Sequence, residues 1–240
     1  MTHTVSVEGL RFAYLRRGGA RVEIDSLVFS SGVTVLVGPN GSGKSTLLKV
    51  LAGVLPVTHG TVSFDGEPLG SNGAGRHLRA PTAYLRQDFG LRGRTRVEEF
   101  LRYGAWMHGV PPSHLARRSE ELLIEVGLAE VRATRVGRLS GGMQRRVGLG
   151  VELAHDPLLV LLDEPTSGLD HDAREQVHAV INRLVERGAI VVMSSHEEAE
   201  ISRHDARVHV MRDGKIVTSR DHRGGDPVRM SDLLGEGPTP

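Results

Sequence analysis

Short apolar, β-branched runs recur along the 240-residue chain, and longer segments with apolar positions at helical spacing lie between them. Runs of this kind, about four to eight residues long, are typical of buried strands. They predict strands at residues 33–37, 158–162 and 189–193, with helices at 46–55 and 171–187. Because strands alternate with helices, the pattern indicates an α/β fold whose sheet is mostly parallel.

Elsewhere the apolar and polar positions alternate, as they do in half-buried strands. Residues 5–10 and 22–29 have this pattern, and residues 61–64 and 67–69 flank Asp65-Gly66, a strong hairpin signal. These segments predict an antiparallel sheet beside the parallel one. A last hairpin is predicted at 207–211 and 215–218, around Asp213-Gly214.

Helix signals dominate from about residue 95 to 155 and predict an inserted helical subdomain. One helix is expected at 97–108, and Ser113 is expected to cap a second that runs to Val126. A third is expected to begin at Leu139-Ser140 and to end near His155, before Asp156-Pro157. We therefore expect a single domain over residues 1–220, followed by a short C-terminal tail at 221–240 with a short helix near 228–234.

The stretch between the predicted strand at 33–37 and the helix after it fits the phosphate-binding template G-x-x-x-x-G-K-[ST] at every fixed position. Its residues are Gly38, Pro39, Asn40, Gly41, Ser42, Gly43, Lys44, Ser45 and Thr46. This position places backbone N–H groups and a positive helix end around one volume, where a triphosphate can replace its water shell. Lys44 would reach the β- and γ-phosphates, and the Ser45 hydroxyl would bind Mg²⁺. The alternative, a glycine turn with a surface lysine, does not explain the strand and helix on either side.

The predicted fold class is accordingly α/β, with a P-loop NTPase core of mostly parallel sheet, an antiparallel β subdomain and an inserted helical subdomain. Ligands of such sheets bind outside the carboxyl ends of the strands. Asp163-Glu164, His196 and Gln87 all follow predicted strands there. We expect Asp163 on the metal side and Glu164 as general base, since a base must reach water without being neutralised by the ion. The alternatives are acids that only cap a strand, a core histidine and a surface glutamine.

A second helix start, at Ser140-Gly141-Gly142, has the serine cap and the glycines of an anion-receiving end. One chain would then hold two phosphate receptors. Either Ser140 is a plain helix cap, or it receives the nucleotide of another copy.

The composition limits the classes of function. A formal net charge of +1 gives no support to a general nucleic-acid-binding surface, and the absence of cysteine excludes disulfides and thiolate metal sites. No apolar run approaches the roughly 18 residues that span a bilayer, and the N-terminus lacks a signal-peptide core. We expect a cytoplasmic protein that reaches a membrane only through a partner.

At this point the sequence resembles the ATP-binding-cassette family. GPNGSGKST resembles its Walker A loop, Gln87 in YLRQDFG its Q-loop, LSGGMQRR its signature, LLVLLDEP its Walker B strand, SGLD its D-loop and His196 its switch histidine. The resemblance implies a head-to-tail dimer in which Ser140 and Gly142 of one subunit close over the ATP held by the other. It also implies that Glu164 polarises the hydrolytic water, that Mg²⁺ accompanies ATP, and that Tyr14 stacks on adenine.

The resemblance is strongest to ATPase subunits of export-type transporters, although Arg86 and His171 stand where many relatives have proline. It implies an ATP-hydrolysing subunit, peripheral to the cytoplasmic face of the membrane. Its partners would be a separate multi-span permease and a second cassette, identical or paralogous. The alternative is a soluble cassette ATPase acting on nucleic acid or the ribosome. A phosphoryl-transferring kinase would leave the signature unexplained.

Overall fold

The computed structural model describes residues 3–14, 21–69, 82–87, 93–229 and 233. Within these residues the strands are β1 (Thr4–Ala13), β2 (Arg21–Ser30), β3 (Gly32–Val37), β4 (His59–Phe64), β5 (Glu67–Pro68), β6 (Thr82–Leu85), β7 (Leu159–Asp163), β8 (Ile190–Ser195), β9 (Ala206–Arg212) and β10 (Lys215–His222). The helices are α1 (Lys44–Leu51), α2 (Val97–Met107), α3 (Leu115–Glu125), α4 (Gly141–Glu152), α5 (His171–Glu186) and α6 (Glu198–Ile201).

A six-stranded sheet in the order β10-β9-β3-β8-β7-β6 forms the centre of the molecule. All of its neighbouring pairs are parallel except the edge hairpin β9–β10. Its inner strands are buried on both faces, which is why β3, β7 and β8 read as continuous apolar runs rather than as alternating ones. The predicted parallel sheet is confirmed.

The alternating segments form the second, antiparallel sheet, in the order β2-β1-β4-β5. Asp65 and Gly66 both have positive φ, 47° and 84°, as a two-residue hairpin turn between β4 and β5 requires. One core layer, which includes Phe29, Leu36 and Leu47, joins this sheet and α1 to one face of the central sheet. The predicted antiparallel subdomain is therefore confirmed.

The other face of the central sheet is covered by helices. A second core layer joins Val35, Leu162 and Val191 of the sheet to apolar side chains of α2, α3, α4 and α5. The predicted helices are present between residues 97 and 152. Across the described ranges, none of the helices combines the length and apolarity needed to cross a bilayer.

Several predicted boundaries are wrong, each for a local reason. Ser113 does not cap α3, because it lies in a 3₁₀ turn, Pro112–His114, that has a proline at its start. The first helix ends at Leu51, not at 55, since Gly53 takes the left-handed conformation (φ 65°) that closes a helix. Helix α4 ends at Glu152. Just beyond it, the N–H of Ala154 donates a hydrogen bond to the carbonyl of Val151, three residues earlier, at 3.2 Å.

The end of the chain is described in part. Strand β10 continues to His222, so the predicted boundary of the tail at 221 falls inside a strand. Most of the helix expected at 228–234 and the end of the tail lie outside the described residues. Leu233 is described, and its side chain packs in the helical core layer.

Candidate functional site

The predicted phosphate-binding loop lies between β3 and the N-terminus of α1, as expected. A side chain at Gly38 would place its Cβ 2.2 Å from the carbonyl oxygen of Met211, so only glycine fits there. Gly43 precedes the helix with φ 104°, a conformation that side chains rarely adopt. The carbonyl of Ser42 accepts a hydrogen bond from the N–H of Gly214, at 2.9 Å. The hairpin β9–β10 therefore forms one wall of the loop.

Lys44 is the first residue of α1, and its side chain folds back over the loop. Its Nζ donates hydrogen bonds to the carbonyls of Gly38 (2.7 Å) and Pro39 (3.2 Å). Burial lowers the pKa of Lys44, while the Glu164 and Asp163 carboxylates oppose that shift. The ammonium group is thus held in place above the loop, where an anion would meet it.

Asp163, the last residue of β7, is buried and accepts two hydroxyl hydrogen bonds. Its Oδ1 accepts from Ser45 Oγ at 2.9 Å and from Ser194 Oγ at 2.8 Å. The Ser194 oxygen in turn accepts from the backbone N–H of Glu164, at 2.9 Å. The expected Ser45–Asp163 pair is brought together. Ser194 was missed, although its position at the carboxyl end of β8 was the signal that could have identified it.

Glu164 follows with a left-handed backbone, φ 48°, which is uncommon for any residue other than glycine, asparagine or aspartate. Its carboxylate lies between two predicted site residues. Gln87 Nε2 donates to Oε2 at 2.9 Å, and His196 Nδ1 lies 3.3 Å from Oε1. The Glu164 side chain is 12% exposed and that of His196 is 52% exposed, so this cluster opens to solvent on the histidine side.

Tyr84, on the neighbouring strand β6, is a second residue that the sequence pattern did not reveal as part of the site. Burial first, and then the Asp163 carboxylate, raise the pKa of the Tyr84 hydroxyl. The tyrosine therefore stays neutral near the aspartate. It adds no charge to a site that must receive a polyanion.

The residues present fit a nucleotide with Mg²⁺. Ser42 Oγ is buried in the loop and has no hydrogen-bond partner among the described residues, and the loop glycines leave the space that side chains would fill. Among the described residues, no three His, Cys, Asp or Glu side chains form a cluster that could hold a metal by themselves. Such an arrangement suits Mg²⁺, which commonly uses one or two carboxylates, water and substrate phosphates.

The second predicted anion site lies at the start of α4. Ser140 is the N-cap, and its Oγ accepts from the N–H of Met143 at 3.3 Å. Gly142 is needed for packing, since a Cβ there would lie 2.7 Å from Cβ of Ala173. Apart from its chain neighbours and the backbone of its own helix, a Cβ built at Gly141 would meet none of the described atoms within 4 Å. No hydrogen bond among the described residues joins these three positions to the phosphate-binding loop.

Tyr14, the predicted adenine contact, lies just beyond β1 and is 39% exposed. Its ring packs edge-on against Phe12, with the centroids 5.1 Å apart. No described hydrogen bond connects Tyr14 with the loop, and residues 15–20 lie outside the described ranges.

Comparison with known proteins agrees with this fold and site. A family model described as ABC transporter matches residues 23–167. A taurine import ATP-binding protein of Burkholderia pseudomallei (strain K96243) is 35% identical over 90% of this chain and 85% of its own length. A linearmycin resistance ATP-binding protein of Bacillus subtilis (strain 168) is 30% identical over 76% of this chain and 58% of its own length.

Solved structures agree as well. A structure described as the ATP binding subunit of an ABC transporter superposes with a TM-score of 0.77 and 25% identity, over 97% of this chain and 92% of the other. The cbiO1 protein of Clostridium perfringens, part of the ABC transporter complex cbiONQ, has a TM-score of 0.79 over 97% of this chain and 90% of its own. At 24% identity, the second match shows the fold alone.

The fold and the site define a P-loop ATPase with a signature helix. The chain belongs to the ABC transporter family, as one of its ATP-binding subunits. It is therefore an ATP-hydrolysing transport ATPase, as the resemblance implied. ATP-binding subunits of this family work with transmembrane permease components.

Proposed function

We propose that this chain hydrolyses Mg-ATP at the described site and thereby drives export through a separate multi-span permease. The observation that carries the proposal is the position of the Glu164 carboxylate. It lies between Gln87 Nε2 and His196 Nδ1, one residue after the Asp163 carboxylate that binds Ser45. A base in a cluster that opens to solvent on its histidine side thus adjoins a hydroxyl–carboxylate pair suited to Mg²⁺.

The proposed roles follow from these positions. The loop residues 38–46 hold the phosphates with their N–H groups and the α1 N-terminus, and Lys44 supplies a compact positive charge. Ser45, Asp163 and Gln87 would hold Mg²⁺, which when bound withdraws charge from the phosphate oxygens. His196 donates a hydrogen bond near the γ-phosphate, and Tyr14 stacks on the adenine.

In the proposed reaction Glu164 accepts a proton from a water molecule while the oxygen of that water attacks the γ-phosphorus of ATP. The new P–O bond forms while the bond to the β-γ bridging oxygen breaks, so ADP leaves with that electron pair and inorganic phosphate is released. Gln87 and His196 fix the carboxylate, so that one of its lone pairs faces the water. Positioned proton transfer of this kind contributes about 10²- to 10⁴-fold to a rate.

The proposed working unit contains two cassettes, in which Ser140, Gly141 and Gly142 of one copy close over the ATP of the other. The open surface at Gly141 supports this arrangement, because none of the described residues packs closely enough to require a glycine there. The second cassette is a copy of this chain or a paralogue. The cassette itself is proposed to span residues 1–220, with the helical subdomain at about 95–155 next to the permease on the cytoplasmic face of the membrane.

Export is the finer part of the proposal, and one of the relatives is named for import instead. A taurine import protein and a resistance protein are both similar to this chain. The export-like sequence of the signature and Walker B segments favours export. Import of a small solute is the second candidate, and the similarity to the taurine protein supports it.

The test begins with purification of the tagged chain from native membranes and identification of the multi-span protein bound to it. The complex is then reconstituted in proteoliposomes with the ATPase facing outward. For export, ATP should drive an amphipathic fluorescent dye into the lumen, and the Lys44→Ala complex should not do so. ATP-dependent loss of preloaded taurine from the lumen would overturn export and leave the ATPase assignment intact.

A further inference from the structure

Arg145 lies inside α4 and is one of the few charged side chains that are buried in the described part of the chain, with 7% of its surface exposed. Its guanidinium leaves the helical layer and reaches the backbone of the candidate site. Nη1 donates to the carbonyl of Gln87 at 2.8 Å, and Nη2 donates to the carbonyl of Asp163 at 2.9 Å. Nη2 also donates to the carbonyl of Glu164.

These three carbonyls belong to the residues whose side chains form the candidate site. Gln87 and Glu164 are thus joined twice, once through their side chains and once through the same guanidinium. A planar fork with five donors can span carbonyls of two separate segments at fixed angles, which a single ammonium group cannot do.

The bond to the Glu164 carbonyl also holds a costly backbone conformation. A left-handed φ in a residue other than glycine is strained and persists only where the surroundings enforce it. Here the N–H of Glu164 is held by Ser194 Oγ at 2.9 Å, and its carbonyl is held by Arg145. The two contacts fix both sides of the residue and therefore the direction of its carboxylate.

Arg145 is also mechanically linked to the start of its own helix. It follows the N-cap Ser140 by five residues, which corresponds to about 7.5 Å along the helix axis. A shift of α4 when an anion reaches Ser140 would move the guanidinium, and with it the carbonyls of Gln87 and Glu164.

We infer that Arg145 is a positioning residue. It couples the start of α4 to the orientation of the Glu164 carboxylate and to the position of Gln87. The inference rests on the proposed role of Glu164 as the base. It gives Arg145 a function in turnover rather than in nucleotide binding, because its bonds go to carbonyls beside the base.

The experiment compares Arg145→Met and Arg145→Lys with a matched control, Arg146→Lys, in the full chain. Arg146 is the next residue and is equally buried, yet it binds the carbonyls of Val126 and Gly127 and the side chain of Gln176. We expect Arg145→Met to lower kcat about 10²-fold, which is the lower end of what a positioned base contributes. The KM for ATP and the affinity for fluorescent ATP should both stay within about threefold of wild type. Arg145→Lys should recover part of kcat, and Arg146→Lys should leave kcat within about threefold while lowering the melting temperature.

The double variant Arg145→Met/Glu164→Gln separates positioning from general damage. If Arg145 acts through Glu164, its loss should add less than about twofold in the Glu164→Gln background. The inference would be overturned if the losses in kcat of the two single variants multiplied in the double variant. It would also be overturned if a folded Arg145→Met or Arg145→Lys protein had a kcat near that of wild type. Near-normal turnover of Glu164→Gln alone would instead overturn the proposed base. If Arg145→Met does not fold, the same comparisons are made with Arg145→Lys.

Discussion

The side-chain amide of Gln87 and the carboxylate of Glu164 meet at 2.9 Å, although 77 positions of sequence separate them. They meet because β6 and β7 are parallel neighbours, with Leu85 opposite Leu162, so that the residues after both strands emerge at one edge of the sheet. The contact joins a neutral group to a charged one. It fixes the carboxylate without neutralising it, which is what a general base requires.

The first prediction concerns that carboxylate. Glu164→Gln should retain ATP binding and lose about 10² to 10⁴ in turnover, because the amide cannot accept the proton. It should also accumulate an ATP-dependent dimer, since closure persists without hydrolysis. Phosphate release and light scattering in Mg-ATP measure the two effects. Glu186→Gln, which changes an exposed glutamate at the end of α5, should behave as wild type. Normal turnover of Glu164→Gln would remove Glu164 from the role of base.

The second prediction concerns Ser194, whose hydroxyl lies between the Asp163 carboxylate and the Glu164 N–H. Ser194→Ala leaves a buried backbone donor without its partner, at a cost of about 1–3 kcal/mol in the free energy of unfolding. Turnover should fall about tenfold or more, since an error of about 1 Å in placing a group can cost 10²-fold. Urea denaturation and phosphate release are the measurements. Ser202→Ala, which removes only a hydroxyl bonded to the Glu198 carbonyl, is the control. A fully active and stable Ser194→Ala protein would contradict the assignment.

The third prediction separates the two signature glycines. Gly142→Ala should lower the free energy of unfolding by about 1–3 kcal/mol, because its Cβ would lie 2.7 Å from that of Ala173. Gly141→Ala meets nothing within 4 Å and should leave the monomer as stable as wild type or slightly more so. If the nucleotide held by a second copy lies close to Gly141, Gly141→Ala should nevertheless weaken dimerisation in the Glu164→Gln background. An unchanged dimer, measured by analytical ultracentrifugation, would place the nucleotide elsewhere.

The fourth prediction is a loss of stability in mild acid from the buried imidazoles of His178 and His204. They are hydrogen-bonded, with Nδ1 and Nε2 2.9 Å apart, and neighbouring Arg174 and Arg203 disfavour a further positive charge. Burial, with a contribution from His204, lowers the pKa of His178 from 6.5 to about 4, and burial also lowers that of His204. Between pH 6.5 and about pH 4 the unfolded chain therefore binds more protons than the folded chain, so the free energy of unfolding falls as the pH drops.

For His178 alone the expected loss is about 1 kcal/mol between pH 7 and pH 5.5. Urea denaturation at both pH values measures it. His178→Gln should reduce the dependence, whereas His114→Gln, at an exposed site, should not. The half-buried His155 and the buried His209, whose pKa values are also lowered to about 4, supply part of the remaining dependence. An equal dependence in wild type and His178→Gln would contradict this account.

The sequence predicted what local chemistry and strand topology determine. The loop at 38–46, the Asp163–Ser45 pair and the Glu164 cluster follow from a phosphate-binding template and from polar residues at the ends of parallel strands. The ends of helices were less predictable, because Gly53 and Pro112 act through backbone conformation over one or two residues. Arg145 could not be assigned from the pattern, and the one signal for Ser194 was its position at the carboxyl end of a strand. A serine in a strand and an arginine in a helix acquire their partners only when distant segments pack together.

The contact of the loop with the hairpin β9–β10 has a consequence for how the protein is made. Gly38 packs against the carbonyl of Met211, and Ser42 accepts a hydrogen bond from Gly214, more than 170 positions later. A nascent chain that has emerged only as far as His196 already has every proposed catalytic side chain, yet the loop lacks its wall. High affinity for nucleotide should therefore arise late in biosynthesis, once residue 214 has left the exit tunnel.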